Sequence, residues 1–555
     1  MSRAASRKVF FLIPPVVILI LLFLALSSCT RQSPSRPKLA IVIVVDQMRA
    51  DYFQRFAGYF SGGLGRLQKD GAVFLNAHHR HADTETAPGH ATLSTGSYPA
   101  RHGIVSNNWF DVHTEKRVYA VADSQAKTFD SDDGEGSSPH FLMRPALGDW
   151  LKKQHAGAKV ISVSRKDRSA ILLGGHKPDG AYWFNYQNGG FTSSTHYFEK
   201  LPAWVSEWNS QHLADAYRGE VLEKIRPADE YLASREDLFD GEAGELQSAF
   251  PHPFSGDTVK PGEDFYRWLA ATPFADDLTL AFASAALRAE QLGADDIPDV
   301  LCIGLSSTDA VGHDYGPQSQ EMQDNLMRLD QKLGEFFAKV DQHVGLQNCV
   351  ISFSSDHGVL PLPEELRRRG YESARIPSEE VFAEVGGMLT EMSQELGTRR
   401  PLLRNYFEAF YLDYATADSL GFSHEEFDRR MAEKVKSLSF VTDVFTRADL
   451  AAGDNNATEV LQQFRNSFYP GRSPDLFMQY KKYYLIAAGK TGTSHGSVYD
   501  YDSRVPMIFL GQGITPGRFD EQCATADFAP TLARLIGLTP SSDLDGKALN
   551  LHSSN

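Results

Sequence analysis

Four short, uninterrupted apolar runs constrain this chain more than any other feature: LAIVIVV (39–45), VLCIGLSS (300–307), CVISFSS (349–355) and VPMIFLG (505–511). Each is too short for an ordinary helix and lacks the polar alternation of a half-exposed strand, so each reads as a strand buried on both faces. Between them lie amphipathic stretches of helical length, including 276–293 and 319–340. Strands alternating with helices predict an α/β fold, a three-layer α/β/α sandwich around a mostly parallel sheet. At 555 residues the chain can build one large core with insertions or two to three ordinary domains. Residues 170–265 and 365–490 interrupt the alternation and are expected to be cap insertions within one catalytic domain spanning 38–550.

The N-terminus is read separately. Arg3, Arg7 and Lys8 precede the apolar run VFFLIPPVVILILLFLAL, and LSSC, ending at Cys29, follows. This is the order of a secretory signal over residues 1–28, and LSSC resembles a bacterial lipobox. The rival is an uncleaved anchor; Pro14, Pro15 and the Ser/Pro-rich tether over 29–37 favour export followed by lipid anchoring at Cys29. The expectation is an exported protein, periplasmic or membrane-anchored and facing the periplasm. A formal charge of −16 argues against nucleic acid as a partner. A small anionic substrate would then need a local positive centre. Cys302, Cys349 and Cys523 are too few for a disulfide scaffold and form no C-x-x-C pair. Cys302 and Cys349 each stand seven residues before an aspartate, which allows a bridge between neighbouring strands, although buried free thiols are the simpler expectation.

Acids and imidazoles fall where strands end. Asp46 follows the first run, Asp309 the second with His313 four residues on, and the pair Asp356–His357 the third. Singly, each Asp reads as a helix cap and each His as a packing residue. Together they sit at the carboxyl ends of strands in one sheet, where α/β proteins bind ligands, and this predicts a shared metal site. Oxygen and nitrogen donors without thiolate suit zinc, with manganese or iron as alternatives. Five ligands exceed the need of one catalytic zinc and fall short of two. His495, in the loop TGTSHGS, is the downstream candidate.

Three features are set aside. His78, His79 and His81 read as supporting or surface residues, GKT at Gly489 lacks the rest of the phosphate-loop pattern, and DSDDGEGSS (130–138) does not match a calcium loop. In TETAPGHATLSTG (84–96), Pro88 favours a helix start, placing Thr86 at the positive end of its dipole. There Thr86 serves as an N-cap, as a nucleophile, or as both.

The ordered motifs VVDQMRADYF, TETAPGHATLSTGSYPARHGIVSNNWFD, SRKDRSAIL, SSTDAVGHDYG, SSDHG and SHGSVYDYDSRVPMIF resemble the alkaline phosphatase superfamily. More narrowly, they are similar to its threonine-nucleophile branch, which holds PafA-type phosphatases and the nucleotide pyrophosphatase/phosphodiesterases. The resemblance implies two Zn2+, one held by Asp309, His313 and His495, the other by Asp46, Asp356, His357 and the hydroxyl of Thr86. It also implies a phosphothreonine intermediate on Thr86 and phosphoryl contacts from Asn107, Lys166 and Arg168. Lys166 and Arg168 alternate, so an extended segment would aim both one way, and in PafA-type enzymes a Lys-x-Arg pair here contacts phosphoryl oxygens. That favours small phosphate monoesters over the alternative, a phosphodiesterase or nucleotide pyrophosphatase. A sulfatase is disfavoured because no Cys/Ser-x-Pro-x-Arg motif surrounds Thr86. Arg49 and Trp109 are candidates for lining the site, His90 is assigned no role, and a monomer is compatible with all of these features.

Overall fold

The computed structural model describes residues 36–130, 136–242, 248–254, 261–406, 409–453 and 457–551. The signal segment, Cys29 and the acidic residues 131–135 lie outside them. The described residues from Pro37 onward form one compact unit, built on a ten-stranded sheet. Its strands are β1 (Leu39–Val45), β2 (Ala72–His78), β3 (Val160–Ser164), β4 (Gly180–Phe184), β5 (Phe191–Thr192), β6 (Asp299–Leu305), β7 (Cys349–Ser354), β8 (Arg504–Gly511), β9 (Gly517–Phe519) and β10 (Cys523–Ala524). They run in the order β9-β2-β8-β7-β1-β6-β3-β4-β5, with β10 also against β2.

Alternation along the central strand explains the layers. Ile41, Ile43 and Val45 of β1 pack into one apolar cluster with helices α1 (Gly63–Asp70), α5 (Phe274–Ala289) and α7 (Gln320–His343). Ala40, Val42 and Val44 face the opposite cluster with α3 (Leu147–Gln154) and α8 (Phe528–Leu535). A β1 buried on both faces must be apolar throughout, which is what its sequence shows. Each large side chain buried this way, such as Phe282 or Phe353, stabilises the fold by roughly 1.5–3 kcal/mol.

Register sets the site. Val45 pairs with Leu305 and Val44 with Ser354, all in parallel, while Gly304 pairs with Ser164. The carboxyl ends of β1, β3, β6 and β7 therefore meet at one edge of the sheet.

Several expectations are corrected. VPMIFLG forms β8, but it runs antiparallel to both β7 and β2; hydropathy reports burial and carries no strand direction. Cys302 stands opposite Val42 and Cys349 opposite Leu39, so β1 separates them. The neighbouring-strand placement fails, while the simpler expectation of buried free thiols holds for both. The first insertion begins later than residue 170, because β4 pairs parallel with β3 and β5 closes the sheet edge. Phe191 of β5 stacks on Phe282 of α5 at 4.2 Å, and Val205, Trp208, Leu222 and Phe265 join the cluster behind β1. This stretch covers a face of the sheet, and its aromatic packing has no short period to read. The second insertion carries a four-stranded sheet of Leu403–Tyr406, Phe410–Leu412, Leu476–Tyr480 and Val441–Thr446 with an apolar cluster of its own. Its Arg375 donates to the carbonyls of Thr491 and Gly492 at 3.2 and 2.8 Å, which ties it to the loop bearing His495.

Candidate active site

Helix α2 (Thr86–Thr95) begins at the sheet edge just described. Its N-cap is Glu85, and no side-chain capping bond is made there. Thr86 is therefore the first helical residue and not the cap. Glu85 instead accepts hydrogen bonds through Oε2 from Ser106 Oγ and Asn107 N at 2.7 and 2.6 Å. Ala87 N donates to Asn107 Oδ1 at 2.9 Å, which fixes the Asn107 amide with its NH2 free to donate. The Thr86 hydroxyl lies 3.4 Å from both Lys166 Nζ and Arg168 Nη2.

Those two cations reach Thr86 by a route other than the extended segment expected. Lys166 is the extended N-cap residue of helix α4 (Asp167–Gly174), and Arg168 lies within its first turn. The first places its ammonium between two carboxylates, 2.5 Å from Asp46 Oδ2 and 2.7 Å from Asp309 Oδ2. The second is steadied by Tyr119, whose hydroxyl donates to Asp167 Oδ1 at 2.5 Å and accepts from Arg168 Nη1 at 3.4 Å. Nothing in the sequence near Tyr119 pointed to this role, because the contact spans 49 residues.

The acids and imidazoles named from the sequence lie near one another at this edge. Asp46 follows β1, and Asp356 and His357 follow β7. Asp309 and His313 stand four apart on helix α6 (Ser307–Tyr315), with Asp309 in its first turn and not on the strand. Ligand atoms of Asp46, Asp356 and His357 lie within 4.8 Å of one another, as do those of Asp309, His357 and His495. His357 thus faces both sets, its ring stacked on His495 with centroids 3.6 Å apart. His313 Nε2 is 3.2 Å from Asp309 Oδ1.

Whether this set fits metal ions is answered by the tautomers. His313, His357 and His495 each place Nδ1 on a backbone carbonyl, of Thr493, Gly358 and Thr84, at 2.8, 2.9 and 2.8 Å. A carbonyl only accepts, so each Nδ1 carries a proton and each Nε2 is the nitrogen that can offer a lone pair to a cation. Buried His357 Nε2 faces Asp46 Oδ1 at 3.3 Å and Asp356 Oδ2 at 3.6 Å, and none of these three atoms makes a well-aligned hydrogen bond. Inward-facing lone pairs among buried carboxylates fit a divalent cation.

Charged neighbours shift each of these groups. Burial and Asp309 push the Asp46 carboxyl up, but Lys166 and His357 outweigh them and hold it below the usual carboxylate range. Asp309 is held well below that range, burial being overcome by Lys166, His313 and His495. Burial disfavours a charged His357, yet Asp356 and Asp46 lift it to about 10. Burial, with the neighbouring His357 and His313, pushes His495 well down.

Asp276 of α5 holds the start of α6, accepting through Oδ1 from Ser306 N and Ser307 N at 2.9 and 3.2 Å. Burial raises its carboxyl to about 6, against the pull of those Ser307 and Ser306 bonds. The folded state therefore holds this proton more tightly than the unfolded chain. Its stabilising contribution is complete below the unfolded value of about 4 and is lost as pH rises through about 6. Asp276→Asn is expected to gain stability relative to the parent between pH 4 and pH 7, by up to ~3 kcal/mol. Denaturant unfolding of both proteins at the two pH values checks this; a constant difference would refute it.

The remaining candidates separate. Arg49 turns away, pairing with Asp51 at 2.7 Å and donating to the carbonyl of Val359 at 2.8 Å. Trp109 is a packing residue against Phe141 and Arg472. His79 and His81 are buried, His79 donating through Nε2 to the Ser355 carbonyl at 3.0 Å, so they support the β7 end and are not surface residues. Gly489 and Lys490 are exposed. His90 is closer than its lack of an assigned role implied, with Nδ1 2.8 Å from the Thr86 carbonyl and 3.1 Å from Asp356 Oδ2.

Comparison with known proteins gives this geometry a family. Residues 40–501 match the family model of type I phosphodiesterase/nucleotide pyrophosphatase. Alkaline phosphatase PhoV of Synechococcus elongatus is 35% identical, with 93% of each chain covered. Alkaline phosphatase PafA of Elizabethkingia meningoseptica is 33% identical over 93% of this chain and 94% of its own. The crystal structure of wild-type alkaline phosphatase PafA superposes with a TM-score of 0.83 at 30% identity, covering 93% of this chain and 98% of that one. The helix that presents Thr86, the cations beside it and the acid–histidine edge are thus those of a chain that belongs to the type I phosphodiesterase/nucleotide pyrophosphatase family and, within it, to the PafA-type alkaline phosphatases.

Proposed function

We propose that this protein is an exported, zinc-dependent alkaline phosphatase that hydrolyses small phosphate monoesters through a phosphothreonine on Thr86. The observation that carries this reading is the placement of Lys166 Nζ and Arg168 Nη2 at 3.4 Å from the Thr86 hydroxyl. A phosphorus atom under attack by that hydroxyl has its non-bridging oxygens beside both cations and the Asn107 amide. Monoesters carry one more negative charge there than diesters, so added donors favour them.

Asp309, His313 and His495 would hold one Zn2+, and Asp46, Asp356 and His357 the other, with Thr86 Oγ1 on the second. Such a pair supplies Lewis-acid stabilisation of the attacking and leaving oxygens and a hydroxide at mild pH. Thr86, at the positive end of α2, forms the bond to phosphorus as the bond to the leaving oxygen breaks, and the hydroxyl proton ends, through solvent, on that leaving oxygen. Water then attacks the phosphothreonine, Thr86 recovers a proton, and phosphate departs. Lys166 and Arg168 hold the non-bridging oxygens through both steps.

The N-terminal signal and the lipobox-like LSSC support a place outside the cytoplasmic membrane, with Cys29 as the point of lipid attachment. The direct test is metal content together with kcat/KM for an aryl phosphate and its methyl diester. About two Zn2+ per chain, loss of turnover on chelation with recovery on Zn2+ addition, and a monoester preference are expected. A diester preference would favour the phosphodiesterase reading.

A further inference from the structure

Gln47 occupies the joint between the two ligand sets. It follows Asp46 at the end of β1, is fully buried, and adopts φ 67°, a left-handed conformation that residues with a side chain rarely enter. In that conformation one residue serves two carboxylates. Its backbone N–H donates to Asp356 Oδ1 at 3.1 Å, and its side-chain Nε2 donates to Asp309 Oδ1 at 2.9 Å. The same Asp309 oxygen faces His313 Nε2 at 3.2 Å and His495 Nε2 at 3.7 Å. Room for the amide comes from Gly312 in α6, where a Cβ would fall 1.6 Å from Gln47 Oε1. A larger residue at 312 would displace the amide, so the helix that carries Asp309 and His313 is open at the point where Gln47 reaches in.

We infer that Gln47 is a positioning residue that fixes Asp309 against Asp356 and thereby sets the two metal sites relative to each other. This inference rests on the metal reading above. Its side chain acts on Asp309, while its backbone acts on Asp356 whatever residue stands at 47. A hydrogen bond to a ligating carboxylate holds the ligand in its binding rotamer, and losing such a partner costs about 10- to 100-fold in metal affinity.

Gln47→Met keeps the length and removes the donor. Gln47→Gly suits the left-handed backbone and keeps the N–H bond to Asp356. Gly312→Ala leaves Gln47 in place but pushes on its amide. The full chain, stripped with chelator, is titrated with Zn2+ by calorimetry, and thermal unfolding of the stripped protein is followed alongside. Q47M is expected to weaken one of two Zn2+ steps by about 10- to 100-fold while the other stays within about threefold. Unfolding of the stripped protein should stay close to wild type. G312A should reproduce the selective loss, and Q47G with G312A should be no worse than Q47G alone, because both act on one contact. If Q47M does not fold, Q47G and G312A carry the same comparison. Unchanged Zn2+ binding, equal weakening of both steps, or a loss confined to unfolding of the stripped protein would overturn the inference while leaving the metal reading intact. A wild-type chain that takes up no Zn2+ would overturn both.

Discussion

Thr86→Ala is expected to lower phosphomonoester turnover by on the order of 10^4-fold or more, the scale seen when a covalent nucleophile is removed. Thr86 is 1% exposed and is the first residue of α2, so its hydroxyl has no capping duty to lose. Alanine is a good helix former, and the helix should persist. The measurement is kcat/KM for an aryl phosphate, with mass spectrometry of acid-quenched enzyme for the phosphothreonine. Thr86→Ser should retain both in reduced measure, since it keeps the oxygen. Turnover within tenfold of wild type in the alanine variant would remove Thr86 from the reaction.

Lys166→Ala should cost the second largest factor, and the cost should depend on the substrate. Loss of one charged donor to a developing phosphoryl charge is worth roughly 10^2–10^3-fold in kcat. The methyl diester, with one charge fewer on its non-bridging oxygens, should lose at least about tenfold less. Lys166 has another duty, bridging Asp46 and Asp309 at 2.5 and 2.7 Å. Equal losses on the two substrates would assign the residue to those acids alone and take away the basis for a monoesterase. Metal content of the variant, measured in parallel, separates the two duties.

Much of the fold was legible because burial on both faces leaves a plain mark. The runs at 39–45, 300–307 and 349–355 contain strands of the central sheet, and the acids that follow them reach one edge. The run at 505–511 shows the limit of that mark, since an antiparallel strand between two others is as apolar as a parallel one. Residues 180–192 escaped notice for the opposite reason. GAYWF is a buried strand, but its neighbours are aromatic residues from α5 and Ala203–Asn209 with no fixed spacing.

In the site, ligands could be proposed from residue type and place, because a carboxylate or imidazole at a strand end is unusual enough to accumulate into a pattern. Supporting groups had no such mark. Gln47 is next to Asp46 in sequence, yet its significance lies in reaching Asp309, 262 residues away. Glu85, unremarked in the sequence beside Thr86, holds Asn107 in place. Tyr119 steadies Arg168 from a separate strand, Lys116–Tyr119.

Thr86 joined the site only through the family resemblance. By itself, the sequence determined that an α/β sheet would form and that Asp46, Asp309, His313, Asp356 and His357 would be brought to its edge. Hydrophobic burial and chain-local residue types suffice for that. Only the tertiary structure decided that Thr86 is a first-turn residue and not a cap, that Lys166 stands between two acids, and that His357 faces both ligand sets. These depend on register between strands and on side-chain reach across hundreds of residues, where a displacement of one hydrogen-bond length changes which groups meet.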